Sequence, residues 1–259
     1  VDHTVFFSRI GDQMRFYPLP GRSTKTMCYA LDAKMLAGDA CRVPYQLTLE
    51  TLGYIQAKLN ETTHWRVTCP LGTDMAGQCD PVAYDVDPKS GFTIRLFPLG
   101  PFRTFSCAEA NGRLVSRWFP GSATHRYEPY GLIVEEPVTL IVDQGRITDI
   151  QGPTRSSRQV HEHYQRVAAC FDIDPFVVHS WHGGTNPKIF YPQDADIDIE
   201  RWNGVVHSHP RYTHFHTCGA YNPGEIIVGL IDPSIFINQQ PYWEQGRLRL
   251  LDSSDARSL

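Results

Sequence analysis

The sequence predicts an α+β fold in two unequal parts, a short mixed α/β stretch over residues 1–61 and a β-rich body over residues 62–259. Two observations carry this. Before Thr62, apolar residues recur at helical spacing, as in Leu52, Ile55 and Leu59. After it, short runs rich in aromatic and branched residues alternate with Gly, Pro and Asn turns, which is the pattern of strands. With 259 residues and 41% hydrophobic content the chain buries a substantial core.

In order, Thr4–Phe7 reads as a strand, Lys25–Ala37 as a helix closed by Gly38, and Leu47–Leu59 as a second helix. His64–Cys69, Phe92–Phe97 and Leu114–Phe119 read as strands. Pro137–Asp143 and Arg146–Gln151 form a hairpin around Gln144-Gly145. Thr154–Phe171 is an amphipathic helix with Val160, Tyr164, Val167 and Ala168 on one stripe, leaving His161 and His163 for solvent. Strands are expected again at Val177–His179, Val205–His209, Tyr212–His216, Ile226–Ile231 and Ser234–Asn238, with a solvated acidic connector over residues 192–200.

The net charge is −4, and no Lys/Arg run exceeds two residues, so a nucleic-acid partner is not expected. No apolar run approaches the roughly 20 residues of a membrane span. The seven cysteines are odd in number and widely spaced without a CxxC pair. With no secretory signal in view, reduced thiols and a cytoplasmic location are the expectation. A small-molecule substrate is the expected partner.

The histidines are not evenly spread. Eight of 11 fall between His161 and His216, with His207, His209, His214 and His216 inside ten residues and the pair His179/His182 just upstream. Imidazole is the commonest protein ligand for transition metals and titrates near neutral pH, so the cluster reads as a metal or acid–base site rather than as scattered strand and loop polarity. In extended chain, residues two apart share a face, so His207/His209 and His214/His216 are each expected to point together. Glu225 is the nearest acid that would complete two imidazoles with a carboxylate; it reads equally as an ordinary charge opening a strand. His182, beside Gly183-Gly184, and His209 are candidates for catalysis. Tyr221 offers a phenol for a developing oxyanion or simply packs under its loop. No GxSxG, HExxH, Walker A or GxGxxG pattern is present.

Taken together, WRVTCPLGTDM (65–75), FPLGPFRTFSCAEANGRLV (97–115), PVTLIVDQGRITDIQG (137–152), VVHSWHGGTNP (177–187), HFHTCGAY (214–221) and IIVGLIDPSIFI (226–237) resemble a superfamily. It contains the thermophilic metallo-aminopeptidases (aminopeptidase T and relatives) and 2,5-dihydroxypyridine 5,6-dioxygenase. With the histidine cluster, the resemblance leads to an expected metal centre with His179, His214, His216 and Glu225 as ligands and Tyr221, His182 and His209 as catalytic groups. His179 stands where the dioxygenase places a ligand His, and His214 with Tyr221 where the peptidases place a ligand His and a catalytic Tyr. Pro101 stands where the peptidases carry a ligand Glu, and the closing His-x-Asp pair of both relatives is not visible, with Glu225 or Asp232 as substitutes. The resemblance implies one divalent transition metal (Fe, Mn or Zn) and a homo-oligomer. The expected activity is metal-dependent hydrolysis or hydrolytic deamination of a small aromatic or N-heterocyclic compound. The alternatives are an Fe(II) ring-cleaving dioxygenase and a non-catalytic metal- or ligand-binding module.

Overall fold

The computed structural model describes residues 3–6, 24–29, 33–81, 95–98, 100–121, 131–219 and 224–253. These form a mixed α+β protein dominated by strands.

Strands β1 (His3–Phe6), β2 (Thr24–Cys28) and β5 (Arg95–Phe97) make a small parallel sheet. The helix expected over Lys25–Ala37 is therefore corrected. Its first part, with Thr24 and Thr26 in a run of alternating character, pairs as strand β2, and only Ala33–Leu36 (α1) is helical. A short α2 (Asp39–Arg42) follows, then α3 (Tyr45–Leu59), whose Ile55 and Leu59 are fully buried.

Strands β3 (His64–Thr68), β4 (Asp74–Gln78), β7 (Asn111–Phe119), β8 (Leu132–Asp143), β9 (Arg146–Gln151), β13 (Ser234–Ile237), β14 (Gln240–Glu244) and β15 (Arg247–Leu248) form an eight-stranded antiparallel sheet. The β8–β9 hairpin turns at Gln144-Gly145, both with positive φ, as a two-residue connection requires. Helix α4 (Thr154–Phe171) buries Val160, Tyr164 and Val167 against this sheet. His163 is buried on it, with Nδ1 2.7 Å from the Arg166 guanidinium, whereas His161 faces solvent.

A four-stranded antiparallel sheet carries the histidines, in the order β12 (Ile226–Ile231), β11 (Tyr212–Thr217), β10 (Val178–Gly183), β6 (Phe105–Ser106). Between β10 and β11 the chain forms helix α5 (Ile199–Val206), so the strand expected over Val205–His209 is also corrected. Asp198 caps this helix by accepting a hydrogen bond from Arg201 N at 3.0 Å, and Trp202, Val205 and Val206 follow at helical spacing. Nor is the acidic connector wholly solvated. Glu200 is buried and accepts from Gly121 N at 2.7 Å.

Buried apolar residues fall into two clusters. The larger lies between the sheets and includes Trp65, Phe102, Phe105, Trp181, Phe215 and Trp243. The smaller joins Cys28, Tyr29, Met35 and Ala40 to Ile189, Tyr191 and Val205. No helix among the described residues is long and apolar enough to cross a membrane.

Candidate metal centre

Register decides which histidines meet. Strands β10 and β11 pair His182 with His214, Trp181 with Phe215 and Ser180 with His216. Side chains alternate along a strand, so Ser180, His182, His214 and His216 share one face while Trp181 and Phe215 share the other. The aromatic face is dry and tightly layered, with Trp181 stacked on Phe105 at 5.0 Å and on Phe215 at 6.0 Å. Burying these rings fixes the pleat, and the pleat brings the imidazoles together on the other side.

One ligating nitrogen from each of His182, His214 and His216 lies within 4.8 Å of the others. Ring centroids are separated by 4.4 Å (His182–His214), 4.8 Å (His214–His216) and 5.1 Å (His182–His216). Imidazoles sharing one ion at bond lengths of about 2.1 Å have centroids roughly 4.5–5.2 Å apart at octahedral to tetrahedral angles. The rings are already at the spacing of a shared ion.

Hydrogen bonds select the nitrogen that two of the rings present. His182 Nδ1 lies 3.1 Å from the Phe102 carbonyl, and His216 Nδ1 lies 3.0 Å from Glu225 Oε2. A carbonyl and a carboxylate accept, so each Nδ1 carries the hydrogen and each Nε2 keeps the lone pair. This is the outer-shell arrangement that orients metal-binding imidazoles. Glu225, 1% exposed, therefore meets the centre through His216 and is not one of the three clustered donors.

His207 forms the C-cap of α5, and its Nδ1 lies 3.2 Å from the Asn203 carbonyl. Its centroid is 6.1 Å from His214 and 6.2 Å from His182, beyond the spacing of a shared ion. It stands one layer out. Two glycines permit this placement. A Cβ on Gly184 would fall on the Ser208 backbone, and one on Gly229 would lie 2.6 Å from the Tyr212 hydroxyl. That hydroxyl donates to Asn203 Oδ1 at 2.7 Å, tying α5 to β11. Gly184 thus makes room for the chain's own turn.

The other sequence candidates are placed as follows. His179 lies at the irregular step between Val178 and Ser180, half-buried, with Nδ1 2.8 Å from Ser180 Oγ. It borders the Glu225 end of the centre. Burial first, and the nearby His216, lower its pKa, while Glu225 opposes them. His209 uses its ring for backbone. Nδ1 accepts from Arg211 N at 3.0 Å, and the ring donates to the Pro187 carbonyl. His207 and His209 sit on a helix end and turn rather than on one strand face. Tyr221 lies outside the described residues. Cys218 is fully buried, and burial pushes its thiol up to about 12, which makes it inert as a nucleophile. Sequence reading passed over Asn203, Tyr212 and the Phe102 carbonyl. Only Tyr212 left a signal, a large polar aromatic on a strand otherwise read as ligand-bearing.

No family model matches the chain, and no curated protein matches it. Among solved structures it is similar to 2,5-dihydroxypyridine dioxygenase from Pseudomonas putida KT2440, at 15% identity and a TM-score of 0.63, over 99% of this chain and 74% of that one. At this identity the likeness establishes a common fold, and the link to aminopeptidase T expected from sequence has no counterpart in these comparisons.

Proposed function

We propose that the protein is a mononuclear iron(II) dioxygenase that opens a small hydroxylated aromatic or N-heterocyclic ring, with His182, His214 and His216 as the protein ligands. The observation that carries this is the cluster of three imidazole nitrogens within 4.8 Å on a buried sheet face, in a fold shared with a dihydroxypyridine dioxygenase. When bound, ferrous iron would supply one-electron chemistry with oxygen and coordination positions for a substrate hydroxyl.

The chain's own residues do the rest. The Phe102 carbonyl and Glu225 hold His182 and His216 in the tautomer that keeps Nε2 basic. Phe105, Trp181 and Phe215 keep water from the back of the sheet. His207, with its Nδ1 hydrogen held by the Asn203 carbonyl, places its ring one layer from the ligands. Hydrolysis has no comparable support, since the solved structure that shares the fold is a dioxygenase. A small-molecule substrate and a homo-oligomeric state belong to the same proposal.

The test is anaerobic loading with Fe(II), followed by 2,5-dihydroxypyridine and related rings in an oxygen electrode. Oxygen uptake matched to loss of ring absorbance is expected. Turnover that persists without oxygen on Zn-loaded protein would overturn the proposal.

A further inference from the structure

Two large cavities lie among the described residues. One lies over the eight-stranded sheet around Trp65, Arg66 and Phe236, with none of the clustered histidines in its lining. The other, about 440 Å³, is an open cleft lined by α1, α2, residues 187–190 and Pro192, with Tyr29 and His209 in its wall. Tyr29 is buried and meets His207 edge-on at 6.0 Å, and His207 in turn lies 6.1 Å from His214. Two rings therefore separate this second cavity from the clustered imidazoles.

We propose that the second cavity is the binding vestibule for a small, flat, anionic ring compound on its way to the metal centre. Its volume falls within the roughly 300–1,000 Å³ of small-molecule sites. Its walls are largely apolar, including Met35, Pro98, Ile189 and Phe190. Phe190, 63% exposed, stands at its rim. Lys34 and Lys188 line the cavity against one carboxylate, Asp39, which lies 3.7 Å from the Lys188 ammonium. That leaves the lining net positive by one, so an anionic ring is favoured over a neutral or cationic one. His209 contributes to the wall, its ring bound to the backbone at Arg211 and Pro187. The fate of the ligand rests on the dioxygenase reading; its binding in the cavity does not.

The experiment is titration of the full chain, metal-loaded and metal-free, with benzoate and with 2,5-dihydroxypyridine, followed calorimetrically. Benzoate should bind both forms. Lys34→Ala combined with Lys188→Ala should weaken it at least tenfold, and Tyr29→Trp, which fills the cavity, should abolish it. His216→Ala should leave benzoate binding in place. Cys41 lines the cavity, so in a Cys170→Ser background its maleimide labelling should slow when benzoate is present. Absence of benzoate binding to wild-type metal-free protein would overturn the proposal, as would binding indifferent to the lysines and lost in His216→Ala. Cavity binding without oxygen uptake would defeat the dioxygenase reading alone. Oxygen uptake that survives the loss of cavity binding would defeat the vestibule alone.

Discussion

Strands β11 and β9 belong to different sheets and treat polar residues in opposite ways. In β9 the polar residues Arg146, Thr148, Asp149 and Gln151 are exposed, and only Ile147 is buried. In β11 all six residues are buried, and four of them are His or Thr. A polar side chain on a half-solvated strand needs no partner beyond water. On a strand covered on both faces it is costly unless something in the protein, or something bound to it, compensates. Histidine content by itself is therefore a weak indicator, and histidine on a doubly covered strand is a strong one. His64, exposed on β3 with Nδ1 3.0 Å from Thr63 Oγ1, is the control inside the same molecule.

The largest effect expected from this comparison is on stability. Trp181→Ala removes the ring packed between Phe105 and Phe215 and should cost about 3–5 kcal/mol in denaturant unfolding. Arg66→Ala, which breaks the exposed pair with Asp74 on the eight-stranded sheet, should cost no more than about 1 kcal/mol. Equal losses from the two would erase the distinction between the sheets.

Metal affinity sharpens it. His216→Ala should lower Fe(II) or Zn(II) affinity by at least about 100-fold and remove metal-dependent stabilisation, which is about 2.7 kcal/mol at a metal concentration 100 times Kd. His64→Ala should leave both unchanged. Competition with a chelator, read alongside melting temperature, measures both. Retention of metal by His216→Ala would break the assignment of the centre.

The β-rich body was legible in sequence because its signals are local. The β8–β9 hairpin, α4 and the strand at Tyr212 all follow from periodicity and turn chemistry within a few residues. The clustering of imidazoles was visible too, with His214 and His216 named from sequence, but the place of His182 beside them was not. Choosing between His179 and His182 requires knowing which side of β10 the aromatic layer claims. That choice turns on the irregular step between Val178 and Ser180 and on pairing with Phe105 and Phe215, which are distant in sequence. The α5 helix was missed because it is short and rests on Asp198, which reads from sequence as one more acid in a charged loop.

A smaller effect concerns Glu225. Glu225→Gln keeps a hydrogen-bond acceptor for His216 Nδ1 but removes the charge, and outer-shell changes of this kind lower metal affinity about 10–100-fold. The expected result lies between wild type and His216→Ala. A loss as large as that of His216→Ala would place Glu225 on the metal itself.

The smallest effect is in pH dependence, where the two regions should part company. Burial first, then the Arg211 guanidinium, lowers the His209 pKa below 6.5, against opposing contributions from the Pro187 carbonyl and Asp232. The folded state therefore takes up this proton less readily than the unfolded chain. The associated stability is fully present above pH 6.5 and is lost as pH falls through the depressed folded value. On the eight-stranded sheet, hydrogen bonding to Arg66 lowers the Asp74 pKa below 3.8, so the stability it contributes is present above that pH and is lost only in stronger acid. Melting temperature should thus decline between pH 7 and 5 through the histidine region while the Arg66–Asp74 pair still holds. His209→Gln keeps an acceptor for Arg211 N and a donor for Pro187 without titrating, so it should flatten that decline. Asp74→Asn should leave the slope between pH 7 and 5 as in wild type and reduce the loss below pH 4. An unchanged slope in His209→Gln would mean that this ring takes up its proton alike in the folded and unfolded chain and that the acid sensitivity of the fold lies elsewhere.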